Sequence, residues 1–144
     1  MALAMRGSSV KYSIKGDGRK TMVKNLRWSC EYLLFNNVTT EIKVYSDLSI
    51  EVTNFTDDIV DTAFGVKTKV DINDLDEFFR DRCFPETRGD CKELLEFLGL
   101  PVFDALSICR ITHGMFFDDH YWVRFDSDGD LTYDEARKSV CLKP

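Results

Sequence analysis

The sequence predicts an α+β fold, a small antiparallel sheet packed on three to four short helices, and three observations carry that reading. Alternating apolar and polar residues crowd the first half, as in residues 41–45 (EIKVY) and 48–53 (LSIEVT). In the second half, apolar residues fall three and four apart between N-cap residues and stop signals. One aromatic, β-branched run, Tyr121–Phe125 (YWVRF), stands among the helices and reads as a returning strand. A chain of 144 residues, 44% of them hydrophobic, supplies one core, so residues 1–144 are read as a single domain.

Residues 1–20 carry Gly7, Ser8, Ser9, Gly16 and Gly18 among basic residues and read as a mobile or edge segment. Residues 21–70 read as mostly strands, and 71–140 as helical with one strand at 121–125. Residues 31–36 (EYLLFN) lead into a turn at Asn36-Asn37. Residues 41–45 put Ile42 and Val44 on one face, Ser46-Asp47 turns, and 48–53 align Leu48, Ile50 and Val52. The acidic stretch 56–65 is a loop or short helix, and 66–70 (VKTKV) a short strand.

The first helix opens near Asp71 or Asn73, with Asp74, Asp76 and Glu77 favouring its positive end, and Ile72, Leu75 and Phe79 on one face. Phe84-Pro85 is expected to end it. The second spans about 90–98, with a stripe of Cys91, Leu94, Leu95 and Leu98 and a stop at Gly99. The third starts at Asp104, buries Ala105, Ile108 and Cys109, and stops at Gly114, which supplies a left-handed turn after His113. The last spans 132–140, with Thr132 and Glu135 spaced as a capping box.

Nineteen basic residues stand against 25 acidic ones, a net charge of -6, which disfavours direct binding to nucleic acid or an anionic membrane and suits a basic protein surface. No apolar run approaches the ~18 residues that span a bilayer, and MALAMRGSS lacks a signal peptide's apolar run. The five cysteines, Cys30, Cys83, Cys91, Cys109 and Cys141, include no C-x-x-C pair; they read as reduced thiols of a cytoplasmic protein, with Cys91 and Cys109 as apolar filler.

No catalytic arrangement is present: there is no P-loop, G-x-S-x-G or H-E-x-x-H pattern, so the chain reads as a non-enzyme without cofactor or metal. Asp126-Ser-Asp128-Gly-Asp130 resembles a calcium loop, but Glu135 arrives two residues too early and the turn glycine is missing; a solvated turn before a helix explains it. Arg80, Arg82 and Arg88 surround Pro85 and are expected to bridge the first two helices by pairing with Asp76, Asp81, Glu86 or Asp90. His120 reads as exposed. The best candidates for partner contact are the acids Asp57, Asp58, Asp61, Asp118 and Asp119, taken as exposed.

The run FFRDRCFPETR, then LLEFLGL, DALSICRITHG and DDHYWVRF resembles the small proteins and N-terminal segments that accompany HipA-like kinases in bacterial mobile elements, chiefly of Firmicutes. The matching positions are Arg82, Pro85 and Arg88 in an Arg-x-x-Pro-x-x-Arg turn, then Thr112, His113 and Gly114, then Asp119, Tyr121 and Trp122. The resemblance implies a non-catalytic module of phage or plasmid origin. The expected function is protein binding, as an anti-CRISPR-like inhibitor of a host defence nuclease, or as the regulatory partner of a HipA-like kinase in a toxin–antitoxin pair. The expected partner is a host or element-encoded protein with a basic surface, and an unpaired hairpin edge suits a homodimer.

Overall fold

A computed structural model describes residues 11–14, 20–23 and 25–141 of the chain. The segment expected to be mobile or at an edge, 1–20, therefore lies largely outside the described residues. Its described part, β1 (Lys11–Ile14), pairs antiparallel with β2 (Lys20–Val23). The main sheet is antiparallel, in the order β5-β4-β3-β6, built from β3 (Leu26–Leu34), β4 (Asn37–Tyr45), β5 (Ile50–Asn54) and β6 (Tyr121–Phe125). Four helices accompany it: α1 (Ile72–Asp81), α2 (Cys91–Leu98), α3 (Ala105–Thr112) and α4 (Tyr133–Cys141). The α+β reading holds, with the strand at 121–125 where the sequence put it.

Alternation along the strands divides the core between the two sheet faces. Trp28, Cys30, Tyr32, Ile42, Val44, Val123 and Phe125 pack on Leu75, Phe78 and Phe79 of α1 and on Ala105, Ile108 and Cys109 of α3. The opposite face carries Leu33 and Trp122 against Tyr133 and Ala136 of α4. Hence the sheet has helices on both sides, and β6 is apolar on both: Trp122 and Val123 are each fully buried.

Several boundaries differ from the sequence reading. The β3–β4 turn is Phe35-Asn36, one residue early. Phe35 adopts a left-handed φ of 54° because its amide donates to the His120 carbonyl, its carbonyl accepts from Trp122 Nε1 at 2.5 Å, and its ring stacks on His120. Leu48 is an exposed turn residue and not the first of β5; the Asp47 carboxylate accepts from the Ser49 amide and holds the turn open one step longer. Residues 66–70 form no strand; residues 68–71 and β5 instead line an open pocket of about 320 Å³ between them.

Helix α1 has the predicted N-cap at Asp71, in a capping box with Asp74. It ends at Asp81, not at Phe84-Pro85, because Arg82 leaves the helix to reach β6. Ile72, expected on its buried face, is exposed at 41%. The Cys91, Leu94, Leu95 and Leu98 stripe of α2 is only half-buried, so Cys91 is not core filler, whereas Cys109 is completely buried. Gly99 ends α2 in the left-handed region. At the end of α3 the left-handed turn starts one residue early, at His113 (φ 57°), and continues through Gly114. The Thr132–Glu135 capping box of α4 is present.

Candidate acidic face

The chain crosses from β5 over the first sheet face through residues 55–65, which hold a single 3-10 turn, Ile59–Asp61. Asp58 is the N-cap of that turn and accepts from the Val60 amide at 3.2 Å. The Ala63 amide donates to Thr40 Oγ1 at 3.1 Å, and the Phe64 ring meets Phe78 of α1, so the loop is pinned at its far end. This brings Asp61 onto β6, where Tyr121 Oη donates to its carboxylate.

Tyr121 joins the two predicted acidic groups. Its hydroxyl bonds Asp61, its amide donates to Asp119 Oδ1 at 3.2 Å, and its ring stacks on Tyr32 with centroids 5.4 Å apart. The hydrogen bond to Asp61, then partial burial, then the charges of Asp61 and Asp58 push the Tyr121 hydroxyl up to about 12. Burial also pushes Tyr32 above the ordinary tyrosine value, against the pull of Arg82.

Arg82 is the buried anchor beneath this face. Its guanidinium forks onto Asp119 at 3.0 and 3.1 Å and donates to the carbonyls of Gly114 and Tyr121 at 3.0 and 2.9 Å. Partial burial pushes the Asp119 carboxyl up, but the hydrogen bonds and charge of Arg82, with the Tyr121 amide, outweigh it and hold the group below the usual aspartate range. The expected pairing of Arg82 with acids of the first two helices is thus replaced by a pair with Asp119. Arg80 and Arg88 meet acids from the expected set, Asp76 at 2.8 Å and Asp90 at 2.6 Å, but each pair is local to its own helix end and does not bridge the two helices. Pro85 lies exposed between them.

Of the five acids proposed for contact, Asp57, Asp58 and Asp118 are exposed. Asp61 and Asp119 are not: they are half-buried and position Tyr121, a role that only the folded pairing could show. Sequence reasoning missed the apolar side chains among the acids. Phe55, Ile59, Val60, Val66 and Phe117 are 59, 51, 83, 79 and 84% exposed. The signal was present in NFTDDIVD and MFFDD, where apolar residues interrupt acids without strand or helix spacing.

The other singled-out residues are structural. Trp122 is fully buried. His113 Nδ1 is buried, lies 3.5 Å from Asp128 Oδ2 and makes no hydrogen bond. His120 is exposed and stacks on Phe35. In the calcium-like loop the carboxylates face backbone: Asp126 accepts from the Ser29 and Ser127 amides and Asp128 from Phe125. Among the described residues no group of three or more His, Cys, Asp or Glu is placed to hold a metal, and no helix is long and apolar enough to cross a membrane. Compared with family profiles, with curated proteins and with solved structures, the chain has no match.

Proposed function

We propose that this chain is a non-enzymatic protein-binding module that docks its acidic face on a basic protein surface. The convergence of Asp61 and Asp119 on Tyr121 carries the reading: two acids 58 residues apart in sequence meet one side chain, and Asp57, Asp58 and Asp118, their neighbours in the chain, are exposed. Exposed Val60 and Phe117 supply the apolar anchors that such interfaces need beside charge. Charge is also segregated: residues 25–144 contain 24 acidic and 13 basic side chains, residues 1–24 one acidic and six basic. The acidic body steers toward cationic surfaces.

The target in this reading is a basic nucleic-acid channel of a host defence nuclease, reached in the cytoplasm of a bacterium carrying a mobile element. Titration against purified RNA-guided nucleases at two salt concentrations tests it. The wild type binds more weakly as salt rises; Asp57→Lys/Asp58→Lys/Asp118→Lys binds at least about tenfold more weakly and with a shallower salt dependence. Equal affinity for both proteins would refute the assignment.

A second reading, regulatory partner of a HipA-like kinase, draws support from one observation. Part of the motif that carries the resemblance packs together: Arg82 bonds the Gly114 and Tyr121 carbonyls, and the His113 carbonyl accepts from Val123, while Pro85 and Arg88 stay exposed outside it. Co-purification with a HipA-like kinase, and none with a nuclease, favours this reading.

A further inference from the structure

A cleft of about 500 Å³ opens between the start of β3, the end of β6 and helix α3, and shares no lining residue with the acidic face. That volume falls in the range of cavities that enclose small organic molecules. Trp28, Phe125, Leu100, Leu106 and Ile111 form its apolar walls. The distinctive group is Arg110, whose guanidinium lies 5.2 Å from the ring centre of Trp28 and 4.6 Å from that of Phe125.

Arg80, Arg82, Arg88 and Arg124 each meet a carboxylate, whereas Arg110 has no ion pair and no side-chain hydrogen bond among the described residues. The aromatic rings fix its orientation by cation–π contact and leave the N–H groups on its edge without a protein acceptor. Two carboxylates also line the cleft, and both have local partners: Asp104 accepts from the Ser107 amide and hydroxyl, and Asp126 from the Ser29 and Ser127 amides. Arg27 and Arg110 balance them, so the cleft is not a further patch of negative charge.

We propose that this cleft binds a small, flat carboxylate with an apolar body, of the aryl carboxylic acid class. The Arg110 fork receives the carboxylate, bidentate geometry being the arrangement a guanidinium favours, and the rings lie against Trp28, Leu106 and Ile111. The acidic-face reading does not depend on this cleft, which shares none of its residues.

The test is titration of the full chain with 2-naphthoate, followed by the indole ¹H–¹⁵N resonance of Trp28, beside its neutral counterpart 2-naphthalenemethanol. The expected result is a saturable shift with 2-naphthoate that weakens at least about tenfold with the alcohol and in Arg110→Met, the loss of one charged anchor. Ser127→Trp, which fills the cleft and keeps the cation, abolishes the shift; it decides the matter with the alcohol if Arg110→Met fails to fold. No saturable shift at millimolar 2-naphthoate, equal binding of the alcohol, or unchanged affinity in a folded Arg110→Met overturns the proposal.

Discussion

At the scale of single residues, Arg82 makes four side-chain hydrogen bonds that join the end of α1 to β6 and the connection before it. Its forked pair with Asp119 and its bonds to two carbonyls leave the guanidinium satisfied where it is only 8% exposed. Removing it leaves those carbonyls and a half-buried carboxylate without a donor. Arg82→Met is therefore expected to lower unfolding free energy by about 3 kcal/mol, the low end for a broken buried pair because Asp119 retains some solvent. Urea unfolding measures it, and Arg82→Lys does little better because an ammonium cannot fork. None of this was legible in the sequence. The acids near Arg82 in the chain were the natural guess, while its real partners lie 32 to 39 residues away.

Two pH effects belong to the same scale. The folded state holds Asp119 below the ordinary aspartate value, so its contribution is present at neutral pH and is lost as pH falls below about 4 through the depressed folded value. Asp119→Asn flattens the acid limb of a stability–pH curve. Tyr121 runs the other way: its raised value stabilises the fold below about pH 10 and the effect is lost as pH rises toward 12. In Asp61→Asn the Tyr121 ring titrates nearer the ordinary tyrosine value, read by NMR of its ring carbon. An unchanged titration there contradicts the Asp61 contact.

At the scale of elements, the local signals were the readable ones. Asp71, Asp104 and Thr132 cap their helices as their residue types dictate, because a cap is chemistry within three residues. The strand Tyr121–Phe125 was legible for its β-branched and aromatic content. Its two-sided burial was also written in YWVRF, where Trp122 and Val123 are both large and apolar, yet the placement of α4 on the second face needed the folded sheet. Boundaries moved where tertiary contacts won. Arg82 pulls α1 to an early end, and Trp122 and His120 hold Phe35 in a left-handed turn. The turn at Gly114 is the most sensitive junction: at φ 60°, an added Cβ would meet Arg82 Cβ at 3.2 Å and Val123 Cγ2 at 3.3 Å. Gly114→Ala is expected to cost about 1–3 kcal/mol by thermal unfolding, from backbone strain and that crowding together.

At the scale of the whole molecule, a sheet with helices on both faces is a rigid support. One open loop, residues 55–66, and the connection from α3 to β6 carry these acids and the exposed apolar side chains among them. β6 is the protected edge, since the His113 carbonyl and Arg82 engage its outward groups, while no described strand pairs with the outer edge of β5. The acids named from the sequence were three exposed groups and two half-buried ones. What the chain could not disclose was that the half-buried two both bond Tyr121.

The most direct measurement is the dependence of target affinity on salt in two variants of equal net charge. One reverses Asp57, Asp58 and Asp118 to lysine; the other reverses Glu93, Glu96 and Asp134, exposed acids of α2 and α4. The account predicts that the first loses at least about tenfold in affinity and most of the salt slope, while the second stays near the wild type. Equal losses in both would show that net charge, and not this face, makes the complex.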